Sequence, residues 1–468
     1  MFKIKNKIIK DTIMLAIMQI FLDFSAIFLN SFITRSLGAS AVGIFSLMGS
    51  FLGLAGILAS GNAFLCTSRL VAEESGRING NPHRVLFHGI KMCTFLSVTT
   101  SFLVVFFSEN LAVRFFGTES AESVIFAMRL MPVALISGSI SACFKGYFNA
   151  CRKATVSAIG DILEFSVKSV IIISMSLSGR FSACQIMIVS IISGNITSLL
   201  YMLFLFAREK NTVFSHHGAG TINFRQYVKL AFPIMFGGLL TSALSSTNDA
   251  LVPICLKQSG DSQEQAFALF GVFEAIVIPA IFFPSVIPCS LSGIVVTETA
   301  RASAKKNQER IKSITAKLIQ YTLIYATFSG AFLYVFGDRV GEMLGGGDIA
   351  GQMISAIAPV VPFIYLEIVL EAIIKGLGLQ GFSSLNYLAE YVIRISAVLI
   401  LVPRMDFTGI IISYYASNIF GNTARLIKVI RYTKTGFRDF PMFSWICKKK
   451  IVHINQKILL KAVQNREN

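Results

Sequence analysis

The sequence predicts an all-α integral membrane protein of twelve transmembrane helices, built as two parallel six-helix repeats. Three observations carry that prediction. The composition is that of a membrane chain: 54% of 468 residues are hydrophobic and 14% charged, with a mean hydropathy of +0.67, whereas soluble domains carry about 25% charged residues. Twelve apolar stretches each reach the roughly 20 residues that a helix needs to cross the hydrocarbon core. The basic residues between those stretches alternate: 33 of the 42 Lys and Arg fall in every second connection or at the termini. Such a bias marks the cytoplasmic side of a multi-pass protein.

The predicted spans are 12–34, 41–67, 86–108, 122–145, 153–177, 182–207, 228–256, 266–296, 313–336, 350–374, 382–403 and 407–428. The first follows the basic start "MFKIKNKIIKD". It is too long for the apolar core of a signal peptide and lacks a small-residue cleavage site, so an uncleaved helix is expected. The basic segments are the N-terminus, 69–91, 145–153, 208–229, 301–317, Lys375, and the chain from Arg425 onward. The opposite connections hold Arg35, Arg114, Arg180, Lys257, Arg339 and Arg404, one apiece. Both termini are therefore expected in the cytoplasm. The net charge of +17 then reflects topology and attraction to anionic membrane lipids, not nucleic acid. The layout is a lobe at 1–207, a cytoplasmic connection at 208–227, a second lobe at 228–430, and a basic tail at 431–468. Trp445, three following lysines and spaced Ile and Leu suggest that the tail holds a helix lying on the membrane surface. A monomer is compatible with this layout.

The two lobes repeat one another. "MPVALISGSISACFKG" (131–146) aligns with "VPFIYLEIVLEAIIKG" (361–376), matching Pro132 to Pro362, Lys145 to Lys375 and Gly146 to Gly376. "ILEFSVKSVII" (162–172) aligns with "LAEYVIRISAV" (388–398), matching Glu164 to Glu390 and Lys168 to Arg394. Asn81 and Arg84 match Asn307 and Arg310. Six is an even number, so the copies enter and leave on the same face and are parallel. This arrangement is found in transporters whose halves rock about a central site.

Charge inside a span is costly, so it needs a partner or a wet cavity. Glu164 and Lys168 lie four apart on one helix face, with Glu first, the better order for such a pair. Glu390 and Arg394 repeat the device, and Asp161 shares the face of Glu164. Two readings follow: each pair neutralises itself and fixes its helix, or the pairs line a polar cavity. In the second reading Lys168, Arg394, Glu164, Glu390, Arg129, Lys145 and Lys375 are candidate cavity and substrate groups. Arg suits phosphate because its fork matches two oxygens. Asp23, Asp161, Asp249, Glu367 and Glu371 are candidates for coupling to protons or sodium. Glu274 lies nearer a span end. Pro132, Pro359 and Pro362 are candidate hinges, since proline interrupts the helical hydrogen-bond ladder.

Other chemistry has little support. The eight Cys fall singly without metal-ligand spacing, so no metal is expected. "GGGDIAG" lacks the Lys-Ser/Thr of a phosphate-binding loop. No outer connection is long enough to house a catalytic domain. Neither a cofactor nor an enzymatic activity is expected.

Three stretches resemble a known family: "SRLVAEESGRINGN", "PVALISGSISACFKGYFNACRKATVSAIGDILEFSVK" and "AFPIMFGGLLTSAL". They are similar to the stage V sporulation protein B group. That group forms part of the polysaccharide-transporter branch of the multidrug/oligosaccharidyl-lipid/polysaccharide (MOP) exporter superfamily. The resemblance runs from about residue 10 to 430. It implies a MATE-like fold with a V-shaped central cavity. It also implies a bacterial flippase for undecaprenyl-pyrophosphate-linked sugars, serving polysaccharide, cell-wall or spore-cortex assembly. Lys145, Gly146, Tyr147, Phe148, Asn149, Glu164 and Lys168 occupy the positions of the family's basic–Gly-Tyr-Phe–polar–Glu–Arg pattern, with Lys168 where Arg is usual. The excess of acids also keeps in view a multidrug or organic-cation antiporter of the same superfamily, whose cargo is a small amphiphilic cation.

Overall fold

A computed structural model describes residues 2–75, 77, 80–116, 121–213 and 220–436. The expected surface helix of the tail lies beyond residue 436, outside the described residues. The described residues form helices and the short connections between them. They are α1 (Phe2–Leu37), α2 (Ala39–Ser60 and Ala63–Ser75), α3 (Pro82–Phe106), α4 (Ala121–Ala150), α5 (Ala154–Ser178) and α6 (Ala183–Val213). After these come α7 (Phe224–Ser259) and α8, the latter in the pieces Gln263–Val272, Phe273–Val277, Ile278–Phe282, Phe283–Ser285 and Val286–Ala304. The last are α9 (Gln308–Met343), α10 (Gly347–Ile357, Ala358–Val360 and Val361–Gly376), α11 (Gln380–Met405) and α12 (Phe407–Thr433). A short helix, Ser108–Phe116, lies between α3 and α4.

Each of the twelve expected spans coincides with one of these helices, nine of them lying wholly inside it and 86–108, 153–177 and 182–207 overrunning an end by one or two residues. Ten are long and apolar enough to cross a membrane on composition alone. The other two are α5 and α12. Asp161, Glu164 and Lys168 interrupt the first, and Ser413, Ser417, Asn418 and Asn422 interrupt the second.

The described residues group into two compact bodies. One is drawn from Met1–Phe283, Asp338–Met353 and Ile395–Ile410, the other from Pro284–Gly337, Ile354–Arg394 and Ile411–Asn468. In the first, Cys66, Leu70, Leu86, Phe144, Tyr147 and Tyr227 form a closed core. In the second, Ile311, Ile319, Val369, Leu370, Ile373 and Val429 do the same. Outside these cores, Phe95, Phe102, Phe106 and Phe328 are largely exposed. Exposed aromatic faces of this extent suit contact with lipid chains, not water.

The repeat read from the sequence recurs in the local geometry of each body. The Asn81 side chain caps α3 by accepting from the Arg84 amide at 3.1 Å. Asn307 caps α9 by accepting from the Arg310 amide at 3.0 Å. Such caps satisfy a helix-end N–H that has no partner within its own helix. The matched glycines agree as well. A Cβ on Gly146 would stand 2.6 Å from the Phe64 carbonyl oxygen and 3.2 Å from Thr67 Cβ, and one on Gly376 would stand 2.8 Å from both the Val296 oxygen and Thr299 Cβ. Each glycine therefore lets α4 or α10 approach the backbone of α2 or α8, as small residues do between membrane helices.

Of the hinge candidates, Pro359 lies in the 3-10 turn Ala358–Val360 and Pro362 is near the start of the segment that follows. They coincide with the break in α10, where a missing N–H is tolerated. Pro132 lies within α4, which is assigned as helix on both sides of it.

Candidate functional site

The first body holds a charge cluster built from one helical hairpin and α1. Cys151, Arg152 and Lys153 turn the chain between α4 and α5, with the Lys153 amide donating to the Phe148 carbonyl at 2.9 Å. Arg152 takes the left-handed conformation there, at φ 58°. The turn brings Lys145 of α4 against α5. Its Nζ lies 2.6 Å from Asp161 Oδ1 and 2.8 Å from Glu164 Oε2. Lys168 Nζ lies 3.3 Å from the other Glu164 oxygen. Asp161 and Glu164 thus share one ammonium, as their three-residue spacing allows. Asp161, Glu164 and Lys168 border a cavity of about 240 Å³ lined by Leu22, Asp23 and Ala26 of α1 with Asp161, Glu164, Phe165 and Lys168 of α5. Gln19 donates to Asp23 at 2.9 Å. The lining carries three carboxylates and one ammonium, and Lys145, outside the lining, compensates a second carboxylate, so the site is acidic by one charge when all five groups are ionised.

The second body holds a different cluster at the matching place. Arg394 Nη2 lies 3.5 Å from Glu390 Oε1, and its Nε donates to Ser417 Oγ at 2.9 Å. The guanidinium lies between two aromatic rings, 5.2 Å from the Tyr391 centroid and 4.5 Å from that of Tyr414, where ring quadrupoles attract a cation. Glu390 is held by a second guanidinium, Arg425 of α12, at 3.0 Å. Arg425 also reaches Glu367 at 2.9 Å and Glu371 at 3.6 Å. Glu371 accepts from Ser383 and lies 3.4 Å from Lys375. Three carboxylates meet three cations here, so this cluster is neutral when all are ionised. A buried charge of this kind persists only when paired and hydrogen-bonded.

Not every sequence candidate joins these clusters. Arg129 pairs with Glu109 of the short helix at 3.1 Å, both side chains well exposed. Asp249 accepts from Ser50 of α2 at 2.5 Å. Lys375 binds a residue of its own helix and does not repeat the reach of Lys145, although their sequence positions match. The cation that reaches Glu390 from another helix is Arg425, which the positive-inside count groups with the cytoplasmic basic residues; it is 1% exposed, lies inside α12 and is engaged by three carboxylates. A signal for it exists in the polar stripe Ser417, Asn418, Asn422 and Arg425, whose spacing keeps one face of a helix. Glu74, in the basic segment 69–91, is fully buried. It accepts from the Thr221 amide at 2.5 Å and the Thr221 hydroxyl at 2.6 Å. The segment entering α7 is thereby tied to the end of α2.

Residues 8–257 match the family model described as polysaccharide biosynthesis protein. The chain belongs to this family. Stage V sporulation protein B of Bacillus subtilis is 22% identical over 383 residues, covering 80% of this chain and 73% of that one. Sporulation protein YkvU of the same organism is 18% identical over 415 residues, covering 87% and 91%. Among solved structures, an inward-facing multidrug resistance MATE family transporter of the MOP superfamily superposes with a TM-score of 0.66 at 17% identity, covering 90% of this chain and 96% of its own. A MOP superfamily transporter from Pyrococcus furiosus, described as having a binding pocket of reverse polarity, superposes with a TM-score of 0.61 at 16% identity, covering 91% and 95%. The chain is a multi-pass membrane protein with the fold of the MOP superfamily.

Proposed function

We propose that the protein is a secondary transporter that flips undecaprenyl-pyrophosphate-linked oligosaccharide across the bacterial cytoplasmic membrane, for polysaccharide, cell-wall or spore-cortex assembly. The observation that carries this reading is the pair of charge clusters, one in each half of the repeat, built on matched Glu164–Lys168 and Glu390–Arg394 pairs. A pyrophosphate must cross the hydrocarbon with its charge compensated. Lys168 borders a cavity and has one partner, so it is placed to exchange Glu164 for a phosphate oxygen. Arg394 can make the same exchange through its fork. The polysaccharide biosynthesis family supports a sugar-linked cargo. Both termini lie in the cytoplasm on this reading, and the halves 1–207 and 228–430 are the two lobes that alternate access.

Asp23 and Asp161 border the same cavity and are the candidates for proton or sodium coupling, since either cation would relieve its net acidity. The same acidity favours a second reading, export of a small organic cation, for which the carboxylates would form the binding surface. One experiment separates the two. Proteoliposomes carry a fluorescent undecaprenyl-pyrophosphate disaccharide in the outer leaflet, and an impermeant quencher reports what remains accessible. The flippase reading predicts protein-dependent protection that Lys168→Gln/Arg394→Gln abolishes while the folded protein remains. Absent flipping together with pH-driven export of an organic cation would replace it with the antiporter.

A further inference from the structure

The second body has an open groove of about 480 Å³ between the start of α11 and the end of α12, lined by Phe382, Ala424, Ile427, Lys428, Arg431 and Tyr432. We propose that this groove is a binding site for an anionic phospholipid headgroup, occupied from the inner leaflet.

Three features point to that occupant. The first is depth. Arg431 is in the last turn of α12, which ends at Thr433, and Ala424 lies seven residues deeper, about 10 Å along the helix at 1.5 Å per residue. A bilayer is about 40–45 Å thick over a core of about 30 Å, so each headgroup layer occupies about 5–8 Å. The groove therefore runs from the headgroup level into the first part of the acyl region. The second is polarity along that run. Arg431 and Tyr432 stand at its outer end, Lys428 and Ile427 about one turn deeper, and the apolar Ala424 innermost, so the cationic part precedes the apolar part as phosphate precedes chain in a phospholipid. The third is charge. The lining has two cations and no acid. The neighbouring Glu371 is engaged by Ser383, Lys375 and Arg425. Lys428 is held over the Phe382 ring at 5.4 Å, which positions it without neutralising it. A net-negative headgroup fits this lining better than a zwitterion, whose ammonium would face the same two cations.

The chemistry recurs in the first body. Phe224, Arg225, Val228, Lys229 and Phe232 line a groove of about 550 Å³ at the start of α7, again without an acid, and Lys91 lies 5.2 Å from the Phe224 centroid. A bare topology signal needs lysines on the correct side only. It does not need an aromatic ring under one of them or a groove beside them.

The test uses the full chain in nanodiscs containing phosphatidylglycerol and phosphatidylcholine, with lipids retained after transfer to detergent counted by native mass spectrometry. Wild type is expected to retain phosphatidylglycerol over phosphatidylcholine. Lys428→Gln/Arg431→Gln is expected to weaken binding at this groove about 25-fold, since each basic side chain near the surface contributes roughly five-fold, read as the loss of one retained phosphatidylglycerol while any lipid held at the α7 groove stays. Lys305→Gln/Lys317→Gln removes the same charge from exposed positions of the same body and is expected to keep wild-type retention. Equal retention by the groove variant, equal loss in the control, or no preference between the lipids in wild type would each overturn the proposal. So would displacement of phosphatidylglycerol from this groove by an added polyprenyl pyrophosphate, which would make it a cargo site.

Discussion

At the scale of single residues, Arg425 holds more of the second body's charge network than any other side chain described. It reaches Glu367, Glu371 and Glu390 from a position 1% exposed. Removing one partner of a buried ion network leaves uncompensated charge and costs about 3–5 kcal/mol. Arg425→Gln is therefore expected to lower unfolding stability by about that amount in detergent. Glu390→Gln/Arg425→Gln should recover part of the loss, because the double change removes both charges of one contact. A single variant as stable as wild type would contradict the network. The sequence reveals half of this chemistry. Glu164 with Lys168, and Glu390 with Arg394, are legible because contacts four residues apart depend on helix geometry alone. The hold of Lys145 on Asp161 and Glu164 depends on the α4–α5 turn, and that of Arg425 depends on how α12 packs against α10 and α11. An arginine at the end of the last span, beside a basic tail, reads as a topology signal by composition.

At the scale of elements, two kinds of join were differently legible. The close approach of α4 to α2 and of α10 to α8 is foreshadowed by the matched Gly146 and Gly376, because only a missing side chain permits it. Gly146→Leu is expected to destabilise by about 1–3 kcal/mol or to separate the helices, since overpacking forces backbone shifts. Unchanged thermal stability would mean that the approach is not required. The Glu74–Thr221 tie was not legible, since a glutamate in a basic loop is usually solvated. Glu74→Ala would leave the Thr221 amide without its acceptor and is expected to cost about 1–3 kcal/mol, with Glu74→Gln losing less because its oxygen still accepts. The loops α7–α8 and α11–α12 carry a join of opposite sign. Burial, then the Asp406 carboxylate beside it, raise the Asp261 carboxyl above its ordinary value of 3.8. An acid raised by folding opposes folding at neutral pH, and that penalty disappears as pH falls through the raised value. Asp261→Asn should stabilise by about 0.5 kcal/mol at pH 7, small for a partly exposed site, and by nothing measurable near pH 3. A gain independent of pH would contradict the assignment.

At the scale of the molecule, the helix count and the repeat come from rules of long reach: the thickness of the hydrocarbon core, the sidedness of basic residues, and alignment of one half with the other. These survive ignorance of packing, so the twelve helices are found where the sequence puts them. Topology belongs at this scale too. Single cysteines placed at Lys305 and at Arg180 in a background without accessible thiols should label from opposite sides of the membrane, the first from the cytoplasm. Labelling from one side would contradict the alternation. On the proposed function, the matched intramembrane charges compensate a pyrophosphate in transit. In reconstituted vesicles with a fluorescent undecaprenyl-pyrophosphate disaccharide, wild type is expected to give quencher protection, lost in Lys168→Gln/Arg394→Gln protein that remains folded and monodisperse. Undiminished flipping by the double variant would contradict it.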